Sequence, residues 1–151
     1  MLYLEDFSVG DTREFGRYTV SLEEVMEFGR KYDPQPFHID EAAAAKSHFG
    51  GLIASGWHTC GMFMKMLADD FNSRGGGSLG SPGVDELRWL KPVRPGDVLS
   101  VRGEVLEARP SKSKPERGIV RSRFEVFTED GTVVMSLTSV SLMTRRPQAA
   151  E

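Results

Sequence analysis

The sequence predicts an α+β fold in which a curved antiparallel sheet wraps one central helix. From Ser55 to about Phe71 the chain is rich in apolar and small residues, with no charge before Lys65. A helix apolar nearly all round is one that something wraps. The second half of the chain supplies the wrapper. Leu99, Val101, Gly103 and Val105 alternate there with Ser100, Arg102 and Glu104, the period of two that suits a half-buried strand. Two further strand-like runs, Val120 to Phe127 and Thr132 to Thr144, flank Asp130-Gly131, a pair favoured in a tight type I′ hairpin.

Taken in order, the elements begin with Ser21-Leu22-Glu23-Glu24. This has the form of a capping box, with Ser21 at the N-cap and Glu24 at N3 each satisfying a free backbone donor. Leu22, Val25, Gly29 and Tyr32 follow at helical spacing with Phe28 beside them, so one face packs inward and the helix ends at Asp33-Pro34. Asp40 caps a second short helix through Glu41 and Ala42 to Ala45, closed by Lys46 near its negative end. Gly50-Gly51 then breaks the chain. After the central helix, Gly83 to Leu90 is a strand leading into the turn from Lys91 to Asp97. Short connections keep consecutive strands as neighbours. Such a sheet leaves an edge unpaired, and pairing of two copies edge to edge predicts a homodimer, or a higher oligomer built from dimers.

A chain of 151 residues fits one domain, expected over 1–151, large enough to bury a core without metal or disulfide. With 27% charged and 39% hydrophobic residues and no apolar run near the roughly 20 residues of a membrane span, a soluble protein is expected. The start, Met1 to Asp6, lacks the basic segment and apolar stretch of a signal peptide, so the cytoplasm is the expected location. The single cysteine, Cys60, sits among apolar neighbours and reads as a small buried hydrophobe. A formal net charge of −3 gives nucleic-acid binding no support. The one basic loop, Arg109 to Arg117, is short and Pro-flanked; it is a solvated connection or a handle for a phosphorylated ligand.

The run Asp33-Pro34-Gln35-Pro36-Phe37-His38 holds a carboxylate and an imidazole five residues apart on a backbone stiffened by two prolines. Each Pro biases the residue before it, Asp33 and Gln35, toward an extended conformation. Asp and His on opposite lips of one turn can act on a single water, one taking a proton while the other gives or orients one. On the residues alone, a plain helix exit with a surface His is the other reading. At the start of the central helix, the Gly56 N–H has no intrahelical partner and points outward with the positive end of the dipole. A ligand carbonyl placed there would be stabilised as in an oxyanion hole. The plain alternative is that Ser55 caps the helix and Gly56 allows close packing.

Other motifs point away from cofactors and metals. Gly75-Gly76-Gly77-Ser78-Leu79-Gly80 matches G-x-G-x-x-G in form, but it follows a helix and runs into Pro82-Gly83 instead of following a strand. His38, His48 and His58 lie at ten-residue intervals, which carry no metal-ligand geometry. The glycine run also holds G-x-S-x-G in form, at Gly76-Gly77-Ser78-Leu79-Gly80, but without a strand before it Ser78 makes no nucleophile elbow. The expectation is no metal and no cofactor.

Together these pieces resemble the MaoC-like dehydratase family, the (R)-specific enoyl-CoA hydratases with a hot-dog fold. The family's motif reads approximately Asp-x-Asn-Pro-x-His, against Asp33-Pro34-Gln35-Pro36-Phe37-His38 here, with Gln35 in place of the usual Asn. Phe49 to Gly56 looks like the family's entry into the central helix, and Leu87 to Asp97 like its following strand and turn. The resemblance implies reversible syn addition of water across the 2,3 double bond of a trans-2-enoyl thioester, giving an (R)-3-hydroxyacyl thioester. By that likeness Asp33 and His38 hold the water, and the thioester oxygen sits on the Gly56 N–H. Gln35, Ser55, Trp57 and Met64 would then be substrate-binding. Trp57, Met62, Phe63, Met64 and Met66 are candidates for the wall of an acyl tunnel or for plain core, and bulk there favours short acyl chains. The implied partner is an acyl-CoA or acyl-carrier-protein thioester. An acyl-CoA thioesterase, which shares the fold, and a non-catalytic acyl-CoA-binding protein are the alternatives.

Overall fold

The fold is set by how little of the central helix needs covering and which strands cover it. The computed structural model describes residues 1–149, so the last two residues of the domain expected over 1–151 lie outside the described residues. The long helix runs from Gly56 to Ser73 (α4) and buries Met62, Phe63 and Met66. These side chains meet Leu99, Val101, Phe124, Val126, Met135 and Leu137 in one cluster. Full burial of each such side chain contributes about 1.5–3 kcal/mol. The expectation of a helix wrapped all round holds on one side only. Trp57 and Met64, 61% and 53% exposed, leave a face of α4 that the chain's own sheet does not reach.

The sheet has five antiparallel strands: Thr12–Thr19 (β1), Gly83–Trp89 (β2), Val98–Pro110 (β3), Arg117–Thr128 (β4) and Val133–Thr144 (β5). Their order is β1-β3-β4-β5-β2, which puts β1 and β2 at the two edges. Sequence reading missed β1, whose Arg13, Phe15 and Tyr18 are half-buried but whose alternation slips at a bulge between Phe15 and Tyr18. Gly16 is in that bulge with φ +82°, and a Cβ there would meet the Met66 sulfur at 2.6 Å. Glycine lets the strand pass this close to α4.

The hairpin between β4 and β5 differs from the expected type I′ turn. Only Gly131 has positive φ, at 84°, while Asp130 does not, and type I′ requires both. The Gly131 N–H donates to Thr128 C=O (2.9 Å) and the Thr128 N–H to Thr132 C=O (3.0 Å). This is a three-residue loop closed by a left-handed glycine, the alternative that suits Asp-Gly next. Asp130 Oδ1 ties it further by accepting the Thr132 N–H at 3.0 Å.

The helices before α4 follow their caps. Leu22–Tyr32 (α1) starts where the Ser21 hydroxyl accepts the Glu24 N–H (3.1 Å) and stops at Asp33. Only that half of the capping box forms; the Glu24 side chain is engaged elsewhere. Val25 and Gly29 are buried as expected, but Tyr32 is 65% exposed because the helix ends beside it. A single turn, Pro36–Ile39 (α2), was not expected. Pro36 starts it at the first helical position, where a missing N–H costs nothing. Glu41–Lys46 (α3) is capped by Asp40, whose Oδ1 accepts the Ala43 N–H at 3.0 Å. The glycine run after α4 bends back to the N-terminal segment, with Leu2 N–H donating to Gly76 C=O (2.7 Å); it opens no helix.

Candidate active site

Two prolines and one short turn of helix bring Asp33 and His38 face to face. Asp33 closes α1, and the Gln35 N–H donates back to its C=O at 2.8 Å, a γ-turn about Pro34 whose φ the ring fixes. The chain then enters α2 at once, which turns His38 back toward the carboxylate. His38 Nε2 lies 3.2 Å from Asp33 Oδ2. Its other nitrogen, Nδ1, is 2.7 Å from the Ile53 carbonyl. A carbonyl only accepts, so Nδ1 carries a proton and Nε2 is the atom offered to Asp33. The His38 ring is buried, and Asp33 keeps 20% of its side chain exposed.

Gln35 holds the second carboxylate oxygen, its Nε2 donating to Asp33 Oδ1 at 2.7 Å. Gln35, at the position where the motif usually has Asn, therefore reaches the Asp33 carboxylate. Burial pushes the Asp33 carboxyl up, but the Gln35 donor, the nearby Ser55 hydroxyl and the His38 ring outweigh it and hold the group below its ordinary value. Ser55 Oγ is fully buried and completes no hydrogen bond of its own among the described residues. It favours the Asp33 charge from outside hydrogen-bond geometry.

Gly56 opens α4, and its N–H has no backbone acceptor among the described residues. A Cβ built on it would overlap the Trp89 indole, which lies on its Cα. Trp89 in turn meets Trp57 edge to face, with ring centroids 5.0 Å apart and planes at 80°. One cleft of about 390 Å³ gathers these groups: Asp33, Gln35, His38, Ser55, Gly56 and Trp57 all line it, with Phe37, Trp89 and Lys91. Met64 is not part of it. That side chain lies further along α4 and borders a separate cavity of about 220 Å³ with Leu67, Phe71 and Phe124. Met62, Phe63 and Met66 are core.

The three histidines stay apart. His48 packs on Phe49 (3.9 Å, 37°) and His58 stacks on Phe28 (5.0 Å, 8°). Among the described residues no group of three or more His, Cys, Asp or Glu is placed to hold a metal ion. Cys60 is half-buried against Met135 (3.7 Å between sulfurs), and burial pushes its thiol up. The basic loop Arg109 to Arg117 lines none of the cleft; Arg109 Nε pairs with Glu107 at 2.6 Å. Two participants were illegible in the sequence. The Ile53 acceptor is a backbone atom, and Trp89 reaches Gly56 only through tertiary packing.

Residues 6–126 match the family described as MaoC like domain. The chain belongs to this MaoC-like family. Its hot-dog sheet and central helix superpose on a MaoC-like dehydratase from Rhodospirillum rubrum, 41% identical, with TM-score 0.86 over 98% of this chain and 100% of that one. The R-hydratase PhaJ1 of Pseudomonas aeruginosa is 25% identical with TM-score 0.73, covering 99% of this chain and 92% of that one. A 3-hydroxybutyryl-CoA dehydratase of Methylorubrum extorquens is 30% identical over 142 residues, 91% of this chain and 85% of that protein. In this MaoC-like chain the Asp-to-His run, the helix entry and the strand into Lys91-Pro92 meet at one cleft.

Proposed function

We propose that this MaoC-like protein is an (R)-specific enoyl thioester hydratase, a hydro-lyase that adds water reversibly to a trans-2-enoyl thioester. The observation that carries the reading is the 3.2 Å Asp33–His38 pair sharing a cleft with the Gly56 N–H, which has no backbone acceptor among the described residues. Water held between Asp33 and His38 loses a proton to the carboxylate as its oxygen bonds to C3. The C2–C3 π electrons move toward the thioester, and the developing negative charge on its oxygen is met by the Gly56 N–H. The proton is then delivered from the same assembly to C2, so the product carries the whole water. His38, with Nδ1 fixed on Ile53, presents Nε2 to the water or to Asp33 in either direction. A positioned acid–base group of this kind supplies about 10²–10⁴-fold, and one oxyanion donor about 10²–10³-fold.

The acyl carrier is coenzyme A or an acyl-carrier protein, and the aromatic wall of Phe37, Trp57 and Trp89 favours short acyl chains. The protein works as a homodimer. On or beside edge strand β2, Val84, Trp89 and Leu90 are 49%, 46% and 49% exposed, an apolar edge that a second copy would cover. We place it in the cytoplasm; no helix among the described residues is long and apolar enough to cross a membrane.

The test is the ultraviolet absorbance of trans-2-butenoyl-CoA, followed with a free-thiol assay for wild type, Asp33→Asn and His38→Ala. Wild type is expected to consume the conjugated double bond without releasing thiol, and each variant to lose at least about 10²-fold in turnover. Thiol release would move the assignment to a thioesterase. Tight binding with no product from any enoyl thioester would make it a binding protein.

A further inference from the structure

Glu24 stands where a capping box would turn its carboxylate back onto the Ser21 N–H, yet no such bond is present among the described residues. Instead its Oε2 accepts the Tyr18 hydroxyl at 2.6 Å and lies 3.6 Å from His58 Nε2. The His58 ring is 7% exposed and stacked flat on Phe28, and its Nδ1 has no hydrogen-bond partner among the described residues. A buried bare nitrogen is costly. Local rules broken without a local gain gather at functional sites. Burial, with the hydrogen bond and charge of Glu24, pushes the Tyr18 phenol up to about 12, so it remains a donor and fixes the carboxylate in place.

The cluster touches both halves of the cleft. His58 shares the first turn of α4 with Gly56. Phe28, on which it stacks, precedes Gly29, and a Cβ on Gly29 would meet the His38 Cβ at 3.0 Å and Ile39 Cγ2 at 2.8 Å. A displacement of α1 at this turn is therefore passed directly to α2 and His38.

We propose that Glu24 and His58 are positioning residues: their contact pins the start of α4, with the Gly56 N–H, against the helix that ends in Asp33 and backs His38. The kinetic part of this proposal rests on the hydratase reading; the spectroscopic part does not. Misplacement by about 1 Å at such a site costs on the order of 10²-fold. His58→Gln and Glu24→Gln are each expected to lower kcat roughly 10–100-fold with KM within about threefold. The double variant should be no worse than the poorer single one, because both remove the same contact. In the same variants the ¹⁵N signals of the His38 imidazole, identified by their loss in His38→Ala, are expected to move.

If wild type hydrates no enoyl thioester, the hydratase reading fails while the His38 signals still decide the positioning role. Should His58→Gln not fold, Glu24→Gln carries the test, since that side chain is 47% exposed. Folded variants whose kcat and His38 signals both match wild type, even with a lower melting temperature, would overturn the proposal and leave the cluster a purely structural contact.

Discussion

The requirement for glycine at position 56 comes from Trp89, and that dependence can be made to change sign. Gly56 does not have a left-handed φ, so its backbone conformation suits alanine. What excludes a Cβ is the indole: its Nε1 would stand 2.8 Å from the new carbon, and two ring carbons would stand closer still. Ordinary contact begins near 3.4 Å, so the indole must retreat by at least 0.6 Å at Nε1 and further at the fused ring. That movement breaks the Trp57–Trp89 edge-to-face pair, held at 5.0 Å. Overpacking of this kind costs about 1–3 kcal/mol, and at roughly 2–4 °C per kcal/mol for a chain of this size the melting temperature should fall by several degrees. In a Trp89→Ala background the obstacle is gone. Gly56→Ala should then be neutral or stabilise, by up to about 1 kcal/mol, through the lower entropic cost of alanine in a helix. Urea unfolding of the four proteins of this cycle measures both steps. If Gly56→Ala costs the same with and without Trp89, the indole is not the reason for the glycine and the geometric argument fails.

Two further outcomes follow from charge and from the open sheet edge. Burial holds the His58 imidazole below its ordinary 6.5 despite the opposing Glu24 carboxylate 3.6 Å away, so below about pH 6.5 the unfolded chain binds more protons there than the folded one. Stability from this group is fully present above that pH and is lost as pH falls; Asp33, depressed below 3.8, acts the same way but only in stronger acid. The difference in unfolding free energy between wild type and His58→Gln should shrink from pH 7 to pH 5, and a constant difference would refute the linkage. At the edge, Val84→Lys places a charge at a half-exposed side chain of strand β2. Losing burial of the exposed half of two valines, about 1.5 kcal/mol in total, should weaken dimerisation about tenfold; sedimentation that shows the same association as wild type would remove β2 from the interface.

What was legible in the sequence is what short-range rules govern. Ser21 and Asp40 cap their helices as their positions imply, β3 covers the run that alternates with period two from Leu99 to Val105, and β2, β4 and β5 cover the runs expected beside their turns. Asp33 and His38 were legible as a pair because two prolines leave so few paths between them. Strand β1 was not, because the bulge at Gly16 interrupts its alternation for the sake of a close approach to Met66. The hairpin was mistyped because Asp-Gly suits two kinds of loop, and only the left-handed φ confined to Gly131 tells them apart. Met64 was assigned to the substrate site by its neighbourhood in the chain. Two turns of helix separate it from Gly56, about 12 Å of rise, which carries it to a different cavity.

The same distinction explains how the cleft is held. The proposed acid–base pair, Asp33 and His38, is local, closed by a γ-turn and a single turn of helix within six residues, and Gln35 completes it from inside the same loop. The proposed oxyanion donor, the Gly56 N–H, is remote, and the bonds within that loop do not fix its distance from Asp33. Three tertiary contacts do: His38 to the Ile53 carbonyl just ahead of α4, Trp89 laid on Gly56, and His58 against Glu24 and Phe28. Each joins the start of α4 to a different element, namely α2, β2 and α1. Loosening one leaves two, so single substitutions at the second and third contacts should weaken catalysis by a part of the full loss, whereas changes to Asp33 or His38 remove the acid–base chemistry itself.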